Sequence, residues 1–241
     1  MLDFEKIASI ISPLCGTIRL YGYRFFGESM LTYILPAITI KEFHMSNQQQ
    51  KKIIGGRDLI NIGIFTAIIF IITMAVMPIG FIPVLMPLYC VIIPVVGGIP
   101  WMLFATKVKK LGMVFIMSML LGLLLMLTGM GWYALPVCAV SGIITELILK
   151  LGAYKSKKHT VIAHGAFCTW LFGSYIPLIF MADTYWQQNA DYGEEFISSA
   201  KSIFQIWTAP VLIALCVAFG ILGGLLGLKI MKKHFAKAGI V

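Results

Sequence analysis

Residues 51–78 read KKIIGGRDLINIGIFTAIIFIITMAVMP. A short basic leader and one aspartate open the stretch, and a proline closes it. Between Leu59 and Met77 no charge interrupts the apolar run. As a helix rising about 1.5 Å per residue, some 20 residues cover the roughly 30 Å of hydrocarbon in a bilayer. The stretch therefore reads as a membrane span that starts at Asp58 and stops at Pro78, with Lys51, Lys52 and Arg57 at its head.

The rest of the chain repeats this pattern. Further apolar stretches run over 84–104, 111–128, 132–149, 160–181 and 203–230, and the first of these is broken by Pro87, Pro94, Gly97, Gly98 and Pro100. None alternates apolar with polar residues as barrel strands do. In lipid, a helix satisfies its backbone amides within its own segment. The expected fold is an all-α integral membrane protein with six transmembrane helices. Composition agrees: 59% of the 241 residues are apolar and 12% are charged, against about 25% charged in soluble domains. A soluble globular domain is excluded. The length also falls short of the roughly twelve helices of a complete two-repeat transporter.

The net charge of +9 invites a nucleic-acid interpretation, but the positions of the bases argue otherwise. Fourteen basic residues fall in one alternate set of connections: Lys51, Lys52 and Arg57; Lys107, Lys109 and Lys110; Lys150, Lys155, Lys157 and Lys158; Lys229, Lys232, Lys233 and Lys237. The other set holds Lys201 alone, beside Asp183, Asp191, Glu194 and Glu195. Under the positive-inside rule both ends of the six-helix unit are cytoplasmic. The charge records topology and implies no nucleic-acid partner.

Residues 1–50 differ from the 51–241 membrane domain. They are an apolar or amphipathic extension that ends in the polar linker Ser46–Asn47–Gln48–Gln49–Gln50. The sequence has no cleavable signal, and Met45 reads as a natural start. Within the extension, Pro13-x5-Arg19-Leu20-Tyr21-Gly22-x4-Gly27-Glu28 resembles the helix of ATP synthase subunit a that carries its essential arginine. That resemblance would put Arg19 in the arginine's place and supplies one alternative, a proton-path protein or fragment. Tyr23 stands where that family has Asn. The other alternative for the segment is an interfacial helix pair or a non-native leader.

Catalysis is not expected. The ionisable residues within the spans are Asp58, Glu146 and His164, and intramembrane charges are functional candidates by default. Yet Glu146 lies roughly 21 Å from the outer end of its span at about 1.5 Å per residue, four positions before Lys150 on the same helix face. His164 lies one turn into its own span. Both suit structure or coupling better than substrate chemistry. No metalloprotease, nucleophile-elbow or P-loop motif occurs, so neither catalytic residues nor cofactors are assigned. Cys15, Cys90, Cys138, Cys168 and Cys216 are too scattered for a metal or disulfide framework.

Small and aromatic residues carry more information. Gly63-x3-Ala67 marks the first span, and Gly220-x3-Gly224 overlaps Gly223-x3-Gly227 on the last. Small residues four apart let helix backbones approach closely. Intramolecular packing is expected for the last span and a partner surface for the first. On the outer side, aromatic and polar residues gather about Trp132, Tyr133, Tyr185, Trp186 and Asn189. An interfacial aromatic belt accounts for such residues, and so does a small-molecule site under the long 182–202 loop.

Together these features resemble the S components of energy-coupling factor (ECF) transporters. Residues 53–235 are similar to the Trep_Strep, or MptD, family of S components. The similarity rests on Gly56-Arg57-Asp58-Leu59-Ile60 running into Gly63-Ile64-Phe65-Thr66-Ala67, and on Met102-Leu103-Phe104-x2-Lys107-Val108-x3-Gly112. The resemblance implies a bacterial cytoplasmic-membrane subunit that captures a vitamin or other micronutrient on its outer face. It would dock through Gly63 and Ala67 on a membrane T component coupled to two cytoplasmic ATPases. Trp132, Tyr133, Tyr185, Trp186 and Asn189 would meet the substrate. The lid that this family places after its first helix is short here, at 78–83, and the 182–202 loop would take its place. A structural or regulatory membrane protein without a ligand is the remaining alternative.

Overall fold

A computed structural model describes residues 54–108, 110–231 and 233. Arg19, the 1–50 extension, Lys51, Lys52, Lys109, Lys232 and Lys237 lie outside the described residues.

Among the described residues all regular structure is helical. Helix α1 spans Gly56–Val76 and tightens into a 3-10 turn, Met77–Phe81, at Pro78. A second such turn, Pro83–Leu88, leads into α2, Tyr89–Lys107. Then come α3, Met113–Leu125, with a π-helical end at Met126–Met130, and α4, Ala134–Leu151. Helix α5, Lys157–Phe167, runs through a 3-10 stretch, Cys168–Ser174, into the short α6, Ile176–Phe180. Two helices, α7 (Ala182–Gln188) and α8 (Glu194–Ile203), precede the last, α9, Thr208–Ile230.

Among the described residues four segments are long and apolar enough to cross a membrane: Gly56–Phe81, Pro83–Lys107, Ala134–Leu151 and Thr208–Ile230. Met113–Thr128 is apolar but shorter. The stretch expected as one helix over 160–181 is instead three pieces. Pro177, near the start of α6, has no N–H to give the carbonyl four residues back, so one α-helical bond is missing where the 3-10 stretch meets α6. Pro94 and Pro100, by contrast, are accommodated inside a continuous α2, as neighbouring helices permit in membrane proteins. The 182–202 segment, expected as a loop, is mostly helical.

Contacts between neighbours close a ring. Helix α1 packs on α2, α2 on α9, α9 on α5, α5 on α4, α4 on α3, and α3 back on α1. The α2–α9 contact is the most extensive because both backbones are bare where they meet. A Cβ added to Gly98 would strike the carbonyl oxygen of Gly223, and one on Gly227 would strike that of Gly98. The overlapping glycines of the last span thus serve internal packing. Gly63 and Ala67, in contrast, lie exposed on α1, and among the described residues a Cβ on Gly63 would meet nothing within 4 Å.

The ring is filled by large side chains. Trp101 is fully buried, stacks on Phe167 at 4.7 Å between ring centroids, and donates its indole N–H to Thr160 O at 3.1 Å. Thr66 and Thr73 return their hydroxyls to Ile62 O and Ile69 O one turn back, which satisfies both hydroxyls within their own helix. Contacts define two ends. At one, Lys110 meets Asp58, α3 begins beside Glu146, and Lys150, Lys155, Lys157 and Lys158 are exposed. At the other, Tyr89 bonds Met77 O, Tyr175 bonds Met86 O, and the acids of α7 and α8 gather.

Candidate functional site

At the acidic end a recess of about 120 Å³ opens between the α3–α4 connection and α7. Gly131 and Tyr133 form one wall; Met181, Thr184, Tyr185, Gln188 and Asn189 form the other. Positions 181, 184, 185 and 188 recur at helical spacing, so a single face of α7 supplies most of the lining. Gly131 has a φ of 77°, a left-handed conformation that favours glycine. A Cβ there would press on the Tyr133 ring at 3.0 Å. The bare, left-handed turn is what lets Tyr133 fold against the wall.

Of the five residues expected to meet a substrate, the recess brings together Tyr133, Tyr185 and Asn189. Trp132 is 62% exposed and sits beside the Tyr133 ring at 4.7 Å, outside the lining. Trp186 faces away from the recess wall. It is only 4% exposed and lies among Tyr185, Tyr192 and Phe196, with centroids 5.0, 6.0 and 5.8 Å away. Its Nε1 has no hydrogen-bond partner among the described residues. Sequence reasoning left out Gly131, Met181, Thr184 and Gln188 as site residues. The signal for three of them was the 181-184-185-188 spacing, hidden by taking the segment for a loop.

Helix α8 braces α7 from outside. Lys201 Nζ lies 2.6 Å from Asp183 Oδ1, and that ammonium holds the Asp183 carboxyl below its usual range. The pair therefore persists through neutral pH and is lost only as acid protonates the carboxylate. Burial pushes the Tyr185 phenol above its ordinary value, so it stays a neutral hydroxyl at physiological pH.

A second space, an apolar slot of about 20 Å³, lies between α1, α2 and the Cys168–Ser174 turn. It has room for about one water molecule.

The three ionisable residues of the spans are all bound up in structure. Glu146, 5% exposed, accepts the backbone N–H of Val114 at 2.7 Å and of Phe115 at 3.3 Å, and the Tyr154 hydroxyl at 2.9 Å. It caps the first turn of α3 in place of the expected alignment with Lys150. Asp58 accepts from Gly55 N and Lys110 Nζ, tying the start of α1 to the start of α3. His164 is 1% exposed, and its Nδ1 lies 2.7 Å from Gly220 O. A carbonyl only accepts, so the proton is on Nδ1, and the bond pins α5 to α9. Among the described residues no three His, Cys, Asp or Glu side chains converge as metal ligands.

A ring of apolar helices with capped polar ends defines an integral membrane protein. The chain belongs to the Trep_Strep family, described as hypothetical bacterial integral membrane proteins, whose model matches residues 56–237. No curated protein and no solved structure matches the chain.

Proposed function

We propose that the chain is the substrate-capturing subunit of an ATP-driven ECF-type importer for a vitamin or another small micronutrient. In this role six helical stretches cross the bacterial cytoplasmic membrane. Both ends of the unit lie in the cytoplasm, and the acidic end with its recess faces outward. The observation that carries the proposal is the recess: an aromatic and polar concavity at the end poor in Lys and Arg, where an importer first meets its cargo. The lipid-facing α1 surface around Gly63 and Ala67 supports docking on a T component, which is coupled in turn to two cytoplasmic ATPases. Close helix approach needs small residues, and among the described residues nothing covers Gly63. The protein itself performs no catalysis in this scheme.

Two measurements test it. Mass spectrometry of the detergent-purified protein should find one small molecule retained, at near-stoichiometric amounts, in repeated preparations. A protein that is consistently empty, with no thermal shift across a metabolite panel, would remove the capture role. Gly63→Leu should abolish co-purification with the T component while leaving the fold intact. An undiminished complex would sink docking through α1.

A further inference from the structure

The recess lining contains no residue that is charged at neutral pH. Its polar groups are the hydroxyls of Tyr133, Thr184 and Tyr185 and the side-chain amides of Gln188 and Asn189. The acids of the same end are elsewhere: Asp183 is exposed and paired with Lys201, and Asp191, Glu194 and Glu195 are exposed and do not line the recess. The polar lining groups are also open. Asn189 Nδ2 donates to Tyr185 O at 2.8 Å, which leaves Oδ1 as an acceptor. The other four have no hydrogen-bond partner among the described residues. Both donors and acceptors are therefore on offer, held by a framework of Tyr133 and Tyr185.

Resting on the capture role above, we infer that the recess takes an uncharged, single-ring head group that both donates and accepts hydrogen bonds. Size caps the head group at one ring. The volume is about 120 Å³, less than the cavity of about 150 Å³ that encloses benzene, so even a single ring keeps one edge at the open mouth. A fused bicycle would have to lie partly outside. Charge sets the neutral class, because an ion withdrawn from water without a counter-charge loses hydration that nothing in this lining returns. Hydrogen bonding excludes a plain hydrocarbon, since a ligand that displaces water from five polar groups must replace those bonds. An aromatic lactam or carboxamide meets all three conditions: its ring stacks on a phenol and its amide edge pairs with Asn189 or Gln188.

The test uses single-ring probes of nearly equal size and different charge. Benzamide, benzoate and benzamidine form one set; nicotinamide, nicotinate and 1-methylnicotinamide form the other. Saturation-transfer NMR on the detergent-purified full chain should show the neutral member of each set bound at least about ten-fold more tightly than its charged partners. Tyr133→Leu should weaken that binding. Asn189→Asp keeps the size of the side chain and adds a carboxylate, and it should lose benzamide and gain benzamidine, a reversal that misfolding cannot mimic. Tighter binding of a charged member by the unaltered protein would overturn the neutral class and leave the capture role standing. No transfer from any of the six probes would overturn the single-ring class, with capture still decided by the retained molecule. Binding unaffected by both substitutions would remove the recess as the site and overturn both.

Discussion

Glu146 shows how an expensive buried acid is explained by its partners. Two backbone N–H groups of α3 and the Tyr154 hydroxyl converge on its carboxylate, and charge-assisted bonds to helix-start amides are among the stronger kinds. Glu146→Ala should cost about 2 kcal/mol, since it leaves buried donors unmet, whereas Glu146→Gln keeps an acceptor and should cost roughly half as much. Thermal unfolding of the purified variants checks the order. Equal, negligible losses would mean that the carboxylate is held for something other than the fold. The sequence placed Glu146 near the basic end but could not show its partners, because Val114 and Phe115 are 32 and 31 positions away. Tyr185 and Asn189 were more legible. Their residue types and their place between two apolar stretches marked them for a polar concavity or an aromatic belt, and both line the recess.

Among the elements, hydropathy and small-residue spacing differ in reach. Hydropathy located every apolar stretch yet missed the break over 160–181, because the same apolar residues give the same mean whether they wind as an α-helix or a 3-10 helix. It missed α7 and α8 for the opposite reason: their polar faces made them look like loop. Small-residue spacing identified both glycine-bearing faces of α1 and α9, though only packing distinguishes their uses. Gly223→Ala would drive a Cβ into the Pro94 carbonyl oxygen. With backbone on both sides nothing can yield cheaply, so the expected loss is about 1–3 kcal/mol or more. Gly63→Ala adds a methyl group where there is open space and should be neutral or gain up to about 1 kcal/mol from helix propensity. Unfolding midpoints in detergent that fail to separate the two would contradict the α2–α9 packing.

For the whole molecule, charge carries the topology that hydropathy cannot. An apolar helix has no preferred direction across a bilayer, whereas Lys and Arg next to its ends resist translocation. The described bases at one end, including Lys150, Lys155, Lys157 and Lys158, face a group of acids at the other with Lys201 among them. Native cysteines make the orientation measurable. Cys90, Cys138, Cys168 and Cys216 are buried and so poorly placed to react with a polar reagent. With Cys15 replaced by Ser, a single introduced thiol reports its own side. Ser198→Cys on exposed α8 should react with a membrane-impermeant maleimide on intact cells. Lys155→Cys, exposed between α4 and α5, should react only after permeabilisation. The reverse pattern would turn the protein over and put the recess in the cytoplasm, where an importer subunit could not collect cargo from outside. Labelling of both positions on intact cells would deny that the two ends occupy different compartments, and the membrane placement of the ring would fall with it.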